Sequence, residues 1–265
     1  MRAPGIVHHG TRRRRAAYRR AVWSGAEVFV TVGVVLLLLV VHQLWWTNRE
    51  ARHDAARKVQ ALEREWEAPG AAVAPSADPG GGEGEGDGGD DSGGARKPSS
   101  RERQATVNSA QAQPRWSQAY AILAIPRLSL RVPVAEGVSK QNVLNKGYVG
   151  HYKGTQQPGQ AGNFALAGHR NTHGEPFRYI NRLKRGDTIT VETKAALYTY
   201  VVDKTLPQTS ARDSGVVRGV PRSTVRPSYG YSEPGYYITL TTCTPEYTSK
   251  YRMAVWGKLR SMRPR

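Results

Sequence analysis

The chain has 265 residues, with 39 Lys and Arg against 21 Asp and Glu, a formal net charge of +18. That balance excludes an acidic or neutral cytosolic enzyme, and the 28 Gly and 16 Pro, many of them clustered, indicate that part of the chain builds no core. The charge is uneven, with +7 over residues 1–25, −6 over 68–95 and +15 over 115–265. A single cysteine, Cys243, rules out an internal disulfide and a Cys-rich zinc site.

Residues 1–25 form a basic tail, followed from Ala26 to Trp46 by AEVFVTVGVVLLLLVVHQLWW, with an unbroken apolar stretch from Val32 to Val41. As a helix, 26–46 spans about 32 Å, enough to cross a hydrocarbon core of about 30 Å. A cleaved secretory signal would have a shorter apolar region and a small-residue cleavage site. Here the run ends in His42-Gln43-Leu44-Trp45-Trp46, and paired tryptophans suit a membrane–water interface, so 26–46 is expected to be a transmembrane anchor. Arg12, Arg13, Arg14, Arg15, Arg19 and Arg20 precede it with no acidic residue among them. Positive flanks stay cytoplasmic, which places everything after Trp46 on the extracellular side.

In 47–67, Ala51, Ala55, Val59, Leu62 and Trp66 recur at spacings of three or four, the stripe of one amphipathic helix. Its charges fall in favourable pairs such as Asp54 with Lys58, so a solvated stalk needs no partner, with dimerisation through the stripe as the alternative. From Ala68 to Pro114 the composition turns to Gly, Ala, Pro, Ser and acid, a segment unable to bury enough apolar surface to offset its ordering entropy. A disordered spacer over 68–114 lets a domain search the zone just above a membrane. A calcium-binding Gly/Asp repeat is disfavoured, because no second copy of the unit occurs.

The remainder, 115–262, is long enough to fold alone and reads as mostly β. Candidate strands are 120–125, 130–135, 163–167, 188–193, 197–206, 236–242 and 251–259, bounded by Pro and Gly, with helical turns at 141–146 and 176–183 and Pro176 at the first helical position. Many short strands so punctuated suggest a closed barrel or sandwich.

In the run Tyr236-Tyr237-Ile238-Thr239-Leu240-Thr241-Thr242-Cys243-Thr244-Pro245, alternation puts Ile238, Leu240 and Thr242 on one face and Cys243 with Thr239 and Thr241 on the other. Pro245 cannot donate to a ladder, so the strand stops near a thiol that lies off the apolar face. That is a place for a nucleophile, although free Cys often serves as a small buried hydrophobe. A thiol nucleophile needs a base and a group that stabilises the developing oxyanion. Four of the seven histidines lie in the tail, anchor or stalk, which leaves His151, His169 and His173 as equal candidates. Arg252 follows Cys243 on the next strand, where antiparallel pairing brings the two side by side. No histidine pair has ligand spacing on a recognisable helix, so neither metal nor cofactor is expected.

Thr239-Leu240-Thr241-Thr242-Cys243 resembles the T-L-x-T-C signature of sortases, Ala167-Gly168-His169-Arg170 resembles their histidine motif, and Arg252 matches their arginine. The likeness covers about 120–260, including Ile122–Ile125, Pro126 and Leu128 at the start and Val255–Leu259 at the end. It implies an all-β fold, an eight-stranded β-barrel with short helices, preceded here by the transmembrane helix and the disordered spacer. It also implies a Cys243–His169–Arg252 site, acting on secreted proteins that bear a C-terminal L-P-x-T-G-like sorting signal. Cys243 would form a thioester at the Thr–Gly carbonyl, His169 would act as acid and base, Arg252 would steady the intermediate, and a peptidoglycan amine would accept the acyl group.

Thr-Cys-Thr-Pro and Gly-His-Arg-Asn-Thr-His-Gly are most similar to class E sortases of actinobacteria, associated with L-A-x-T-G. Thr244 stands where some relatives carry His, and 137–162 has no acidic cluster for the calcium activation of some class A members. Two other functions fit parts of the sequence. One is a tethered cysteine hydrolase with water as acceptor. The other is a non-enzymatic basic module that holds anionic wall polymer. Nucleic acid is a poor partner for a domain outside the cell.

Overall fold

A computed structural model of the protein describes residues 10–68 and 114–265. The spacer expected over 68–114 and the start of the basic tail fall almost wholly outside them. One helix, α1 (Gly10–Glu67), is followed by eight strands: β1 (Ala119–Ile125), β2 (Leu130–Glu136), β3 (Val149–His151), β4 (Gly162–Ala167), β5 (Thr188–Thr193), β6 (Ala196–Ser210), β7 (Tyr236–Thr244) and β8 (Tyr251–Pro264). They close into a barrel in the order β1-β2-β3-β4-β7-β8-β6-β5. Only the β2–β3 and β4–β7 pairs are parallel.

The interior is filled by the inward residues of alternating strands, among them Leu123, Val134, Phe164, Leu166, Val191, Ile238, Leu240 and Val255. Each fully buried side chain of this kind contributes about 1.5–3 kcal/mol. A second apolar cluster covers the outer face of β7 and β8, where Leu206, Tyr237, Ala254 and Trp256 pack against Val216 and Tyr231 of the 211–235 segment. Asp213 ties that segment down, accepting hydrogen bonds from Thr209 Oγ1 at 2.6 Å, from Ser223 Oγ, and from Thr224 N and Oγ1, both at 2.9 Å. Burial alone would raise its carboxyl, but the bonds from Ser223, Thr209 and Thr224 outweigh that and hold it below the usual carboxylate range.

Seven of the strands coincide with sequence expectations. The eighth, β3, is only three residues long, with a central Gly150 and no alternation of its own. The short helical turn at 176–183 is reduced to Ile180–Arg182, so Pro176 is not its first residue. Pro126 takes that role instead, at the start of Pro126–Leu128.

From Val22 onward α1 carries a stretch long and apolar enough to cross a membrane. Its side chains from Val28 to Val41 are exposed to the surroundings rather than covered by protein. The lower part differs from a free stalk. Ala51, Ala55, Val59 and Leu62 are all buried. Val59 and Leu62 pack with Ala119, Ile122, Ala135 and Val143 of the barrel, and Trp66, Leu144 and Tyr148 pack alongside. Arg131 on β2 ties Glu63 of the helix to Glu192 of β5. Asp54 pairs with Arg57, not Lys58. The stripe is therefore covered, and by the chain's own barrel.

The double substitution Val59→Asp and Leu62→Asp puts two unpaired carboxylates into this contact. Limited proteolysis of the full chain should then cut within 47–67 at positions protected in the wild type. Equal protection, read by mass spectrometry, would refute docking.

Candidate active site

The site lies where β4, β7 and β8 run side by side. Parallel pairing sets Ala165 against Thr239 and Ala167 against Thr241. The register is locked by side chains as well as backbone. Thr239 Oγ1 donates to Asn163 Oδ1 at 2.7 Å, Thr241 Oγ1 to the Leu166 carbonyl at 3.0 Å, and Thr242 Oγ1 to the Gly168 carbonyl at 2.8 Å. The ladder ends with Ala167 opposite Thr241, and His169 and Cys243 each follow two residues later in their own segments. On the other side of β7, antiparallel pairing sets Cys243 directly opposite Arg252. Directly opposed residues share a face, so thiol and guanidinium project to the same side. It is the side away from the barrel interior, since Thr239 and Trp256 precede them there while Leu240 and Met253 point inward.

Cys243 is half-buried and free. Its carbonyl accepts a hydrogen bond from Arg170 Nη1 at 3.1 Å, and the same nitrogen reaches Thr244 Oγ1 at 2.9 Å. Arg170 is buried, and among the described residues no carboxylate pairs with it. Arg252 Nη1 donates to the carbonyls of Ser249 at 2.8 Å and Tyr251 at 3.0 Å, which restrains the head while leaving its other nitrogens for a ligand.

The structure separates the three histidines that sequence spacing could not. His151 is 1% exposed, and its ring is fully engaged: Nδ1 faces Glu136 Oε2 at 2.7 Å and Tyr120 Oη at 3.0 Å, Nε2 faces Thr155 Oγ1 at 2.9 Å. It is a structural residue with no nitrogen to spare. His169 donates from Nε2 to Asn145 Oδ1 at 2.9 Å, which keeps the proton of the neutral ring on Nε2 and leaves Nδ1 as the acceptor. His173 stacks on it, with ring centroids 5.3 Å apart. Gly168 is required just before His169, because a Cβ there would meet the Phe177 ring at 2.7 Å. Burial, then the neighbouring His173 and Lys140, push His169 down from an ordinary imidazole to about 4.

A family model described as "Sortase domain" matches residues 123–260. The chain belongs to the sortase family. It is 43% identical over 244 residues to Sortase SrtE1 of Streptomyces coelicolor, covering 90% of this chain and 57% of that protein. With Sortase SrtE2 of the same organism the identity is 33% over 260 residues, covering 96% of this chain and 88% of the relative. The crystal structure of Sortase E1 from S. coelicolor, determined with a tripeptide in the active site, matches with a TM-score of 0.53 and 53% identity, over 58% of this chain and 94% of that one. The chain thus spans little more than half the length of the first of these relatives, and its likeness within the sortases is to class E.

Three neighbours of the candidate residues escaped sequence reasoning: Asn145, Arg170, and His173 in its stacking role. Asn145 lies 24 positions before its partner His169, and no spacing rule links them. Arg170 was visible only as part of the Gly-His-Arg motif.

The low value at His169 has a definite sign. An unfolded imidazole titrates near about 6.5, so between there and about 4 the unfolded chain binds the extra proton. Stability therefore falls as pH drops through that window. Replacing His173 with Gln removes the second cause and should move the His169 titration upward, as followed by NMR of histidine-labelled protein. No movement would show that His173 contributes nothing to the shift.

Proposed function

We propose that this sortase is a membrane-anchored cysteine transpeptidase that cleaves an L-P-x-T-G-like sorting signal, specifically L-A-x-T-G, between Thr and Gly and joins the secreted protein to a peptidoglycan amine. The observation that supports this reading is the pairing of Cys243 directly opposite Arg252 at the end of β7, beside the strand β4 that leads into His169.

The chemistry follows from these groups. Nδ1 of neutral His169 accepts the proton of Cys243 as sulfur attacks the Thr carbonyl carbon. Negative charge then develops on the carbonyl oxygen, and the fixed donors of Arg252 stabilise it. As the tetrahedral intermediate collapses, the C–N bond breaks, and the proton on Nδ1 passes to the departing Gly amine. An imidazolium of low pKa is a strong acid for that transfer. The thioester left on Cys243 is attacked by the acceptor amine, whose proton goes to Nδ1 and from there to the leaving thiolate. This second transfer returns the site to its starting state.

The anchor and its flank support a cytoplasmic N-terminus and an extracellular barrel, with Arg12–Arg15 before the apolar stretch and Trp45–Trp46 after it. A hydrolase would use the same acyl-enzyme with water as acceptor. Incubating the full chain with L-A-x-T-G and L-P-x-T-G peptides, with and without a free amine, should trap an acyl group on Cys243 by mass spectrometry and give amine-dependent product. Turnover that ignores the amine and yields only hydrolysed peptide would replace transferase with hydrolase. Cys243→Ala and His169→Ala should each abolish transfer, and Arg252→Ala should slow it by about 10²–10³-fold, as expected for losing an oxyanion donor.

A further inference from the structure

We propose that the juxtamembrane turn of α1 is a positioning element of the active site: Asn48, Ala51 and Arg52 hold the two segments that flank His169, and through Glu175 and Arg178 they also hold the loop that follows Cys243. The inference rests on the assignment of His169 and Cys243 to catalysis made above.

Two independent contacts put this turn against the site. On one side, Gly147 stands at φ +76, and a Cβ there would meet the Ala51 carbonyl oxygen at 2.6 Å, so helix backbone and loop backbone touch without an intervening side chain. Gly147 closes the turn Leu144–Lys146 that contains Asn145, the partner of His169. On the other side, Asn48 and Arg52 grip the loop that carries His173. Gly174 N donates to Asn48 Oδ1 at 3.3 Å, and Arg52 Nε donates to the Gly174 carbonyl at 3.2 Å. Glu175, its carboxylate 5% exposed, accepts from Asn48 Nδ2 at 3.0 Å, Arg52 Nη2 at 3.1 Å and Arg178 Nη1 at 2.7 Å. Its backbone lies in the left-handed region at φ +55, as does that of His173 at φ +52. Two non-glycine residues in the left-handed region, one on each side of Gly174, need an external restraint, and the helix supplies it.

Arg178 then carries the restraint across the site. Its Nε pairs with Glu246 Oε1 at 3.2 Å and its Nη2 donates to Tyr247 Oη at 2.9 Å, on the β7–β8 connection just past Cys243. Arg52 itself is 63% exposed, so its ion pair adds little to global stability. Its effect is geometric. With the turn in place, the Asn145 and His173 segments close around His169 and keep water from it. Without it, the loop that bears His173 is released at one end.

The test uses the full chain in phospholipid nanodiscs, comparing wild type with an Asn48→Ala/Arg52→Ala double variant, with Arg52→Lys and with Glu175→Gln. The double variant and Glu175→Gln should lose about 10- to 100-fold in kcat, the scale of small misplacements remote from the chemistry. Their KM for the sorting peptide should stay within about twofold, since substrate contacts are intact. Arg52→Lys, which retains the cation, should recover most of the rate. In the double variant the His169 titration, followed by NMR, should rise from about 4 because burial is its first cause. A double variant with wild-type kcat and an unmoved His169 titration would overturn the proposal, as would a loss that appears only in thermal stability. A wild-type chain that transfers no sorting peptide, while the titration still moves in the variant, would sink the transpeptidase reading and leave the positioning role standing.

Discussion

The parallel contact between β4 and β7 is the constraint on which the site depends. Parallel pairs have slanted, slightly weaker ladders than antiparallel ones, and this pair reinforces its ladder with hydroxyls. Thr239, Thr241 and Thr242 each donate from β7 to β4 or to the residue just beyond it. The threonines ahead of the cysteine are thus fasteners. A slip by one residue would move Cys243 to the barrel interior. The motif has its composition because β-branched hydroxyl residues both suit a strand and supply a buried donor whose partner is fixed.

Much of this was legible in the sequence. Pro and Gly punctuation located seven strands, and period-two alternation placed Cys243 off the apolar face. The strand β6 ran further than expected, continuing past Pro207 to Ser210. The irregular register between Leu206 and Thr209 accommodates the proline, which an uninterrupted ladder would not. What could not be read was pairing between distant segments. Nothing in Val149-Gly150-His151 announces a strand, since its partners lie on β2 and β4. Spacing alone left His151, His169 and His173 open, and only the resemblance of Ala167-Gly168-His169-Arg170 to the sortase motif pointed to His169, because ring partners are set by folding. The stripe of 47–67 revealed an apolar face but not its cover, because the complementary patch of Ala119, Ile122, Ala135 and Val143 is gathered from three separate segments.

The basic balance also takes on a different meaning once the arginines are placed. Arg131 joins helix to barrel, Arg170 holds the Cys243 carbonyl, and Arg178 bridges the two loops beside the site. Guanidinium suits these roles because several donors on one rigid plane can serve different partners at once. Part of the excess charge is therefore internal fastening, and only the remainder is available to attract an anionic wall or lipid surface.

Docking of the helix against the barrel has a consequence for reach. With the apolar stretch in a bilayer and Trp46 at its edge, Arg52 stands about 9 Å further along the helix axis. The candidate site is thus held by the same helix that carries the apolar stretch, through the contacts at Asn48, Ala51 and Arg52. Inserting one helical turn between Trp46 and Asn48 would lift a barrel docked in this way by about 5.4 Å. A barrel held on its own helix in this way would meet a peptide at a depth set by helical rise.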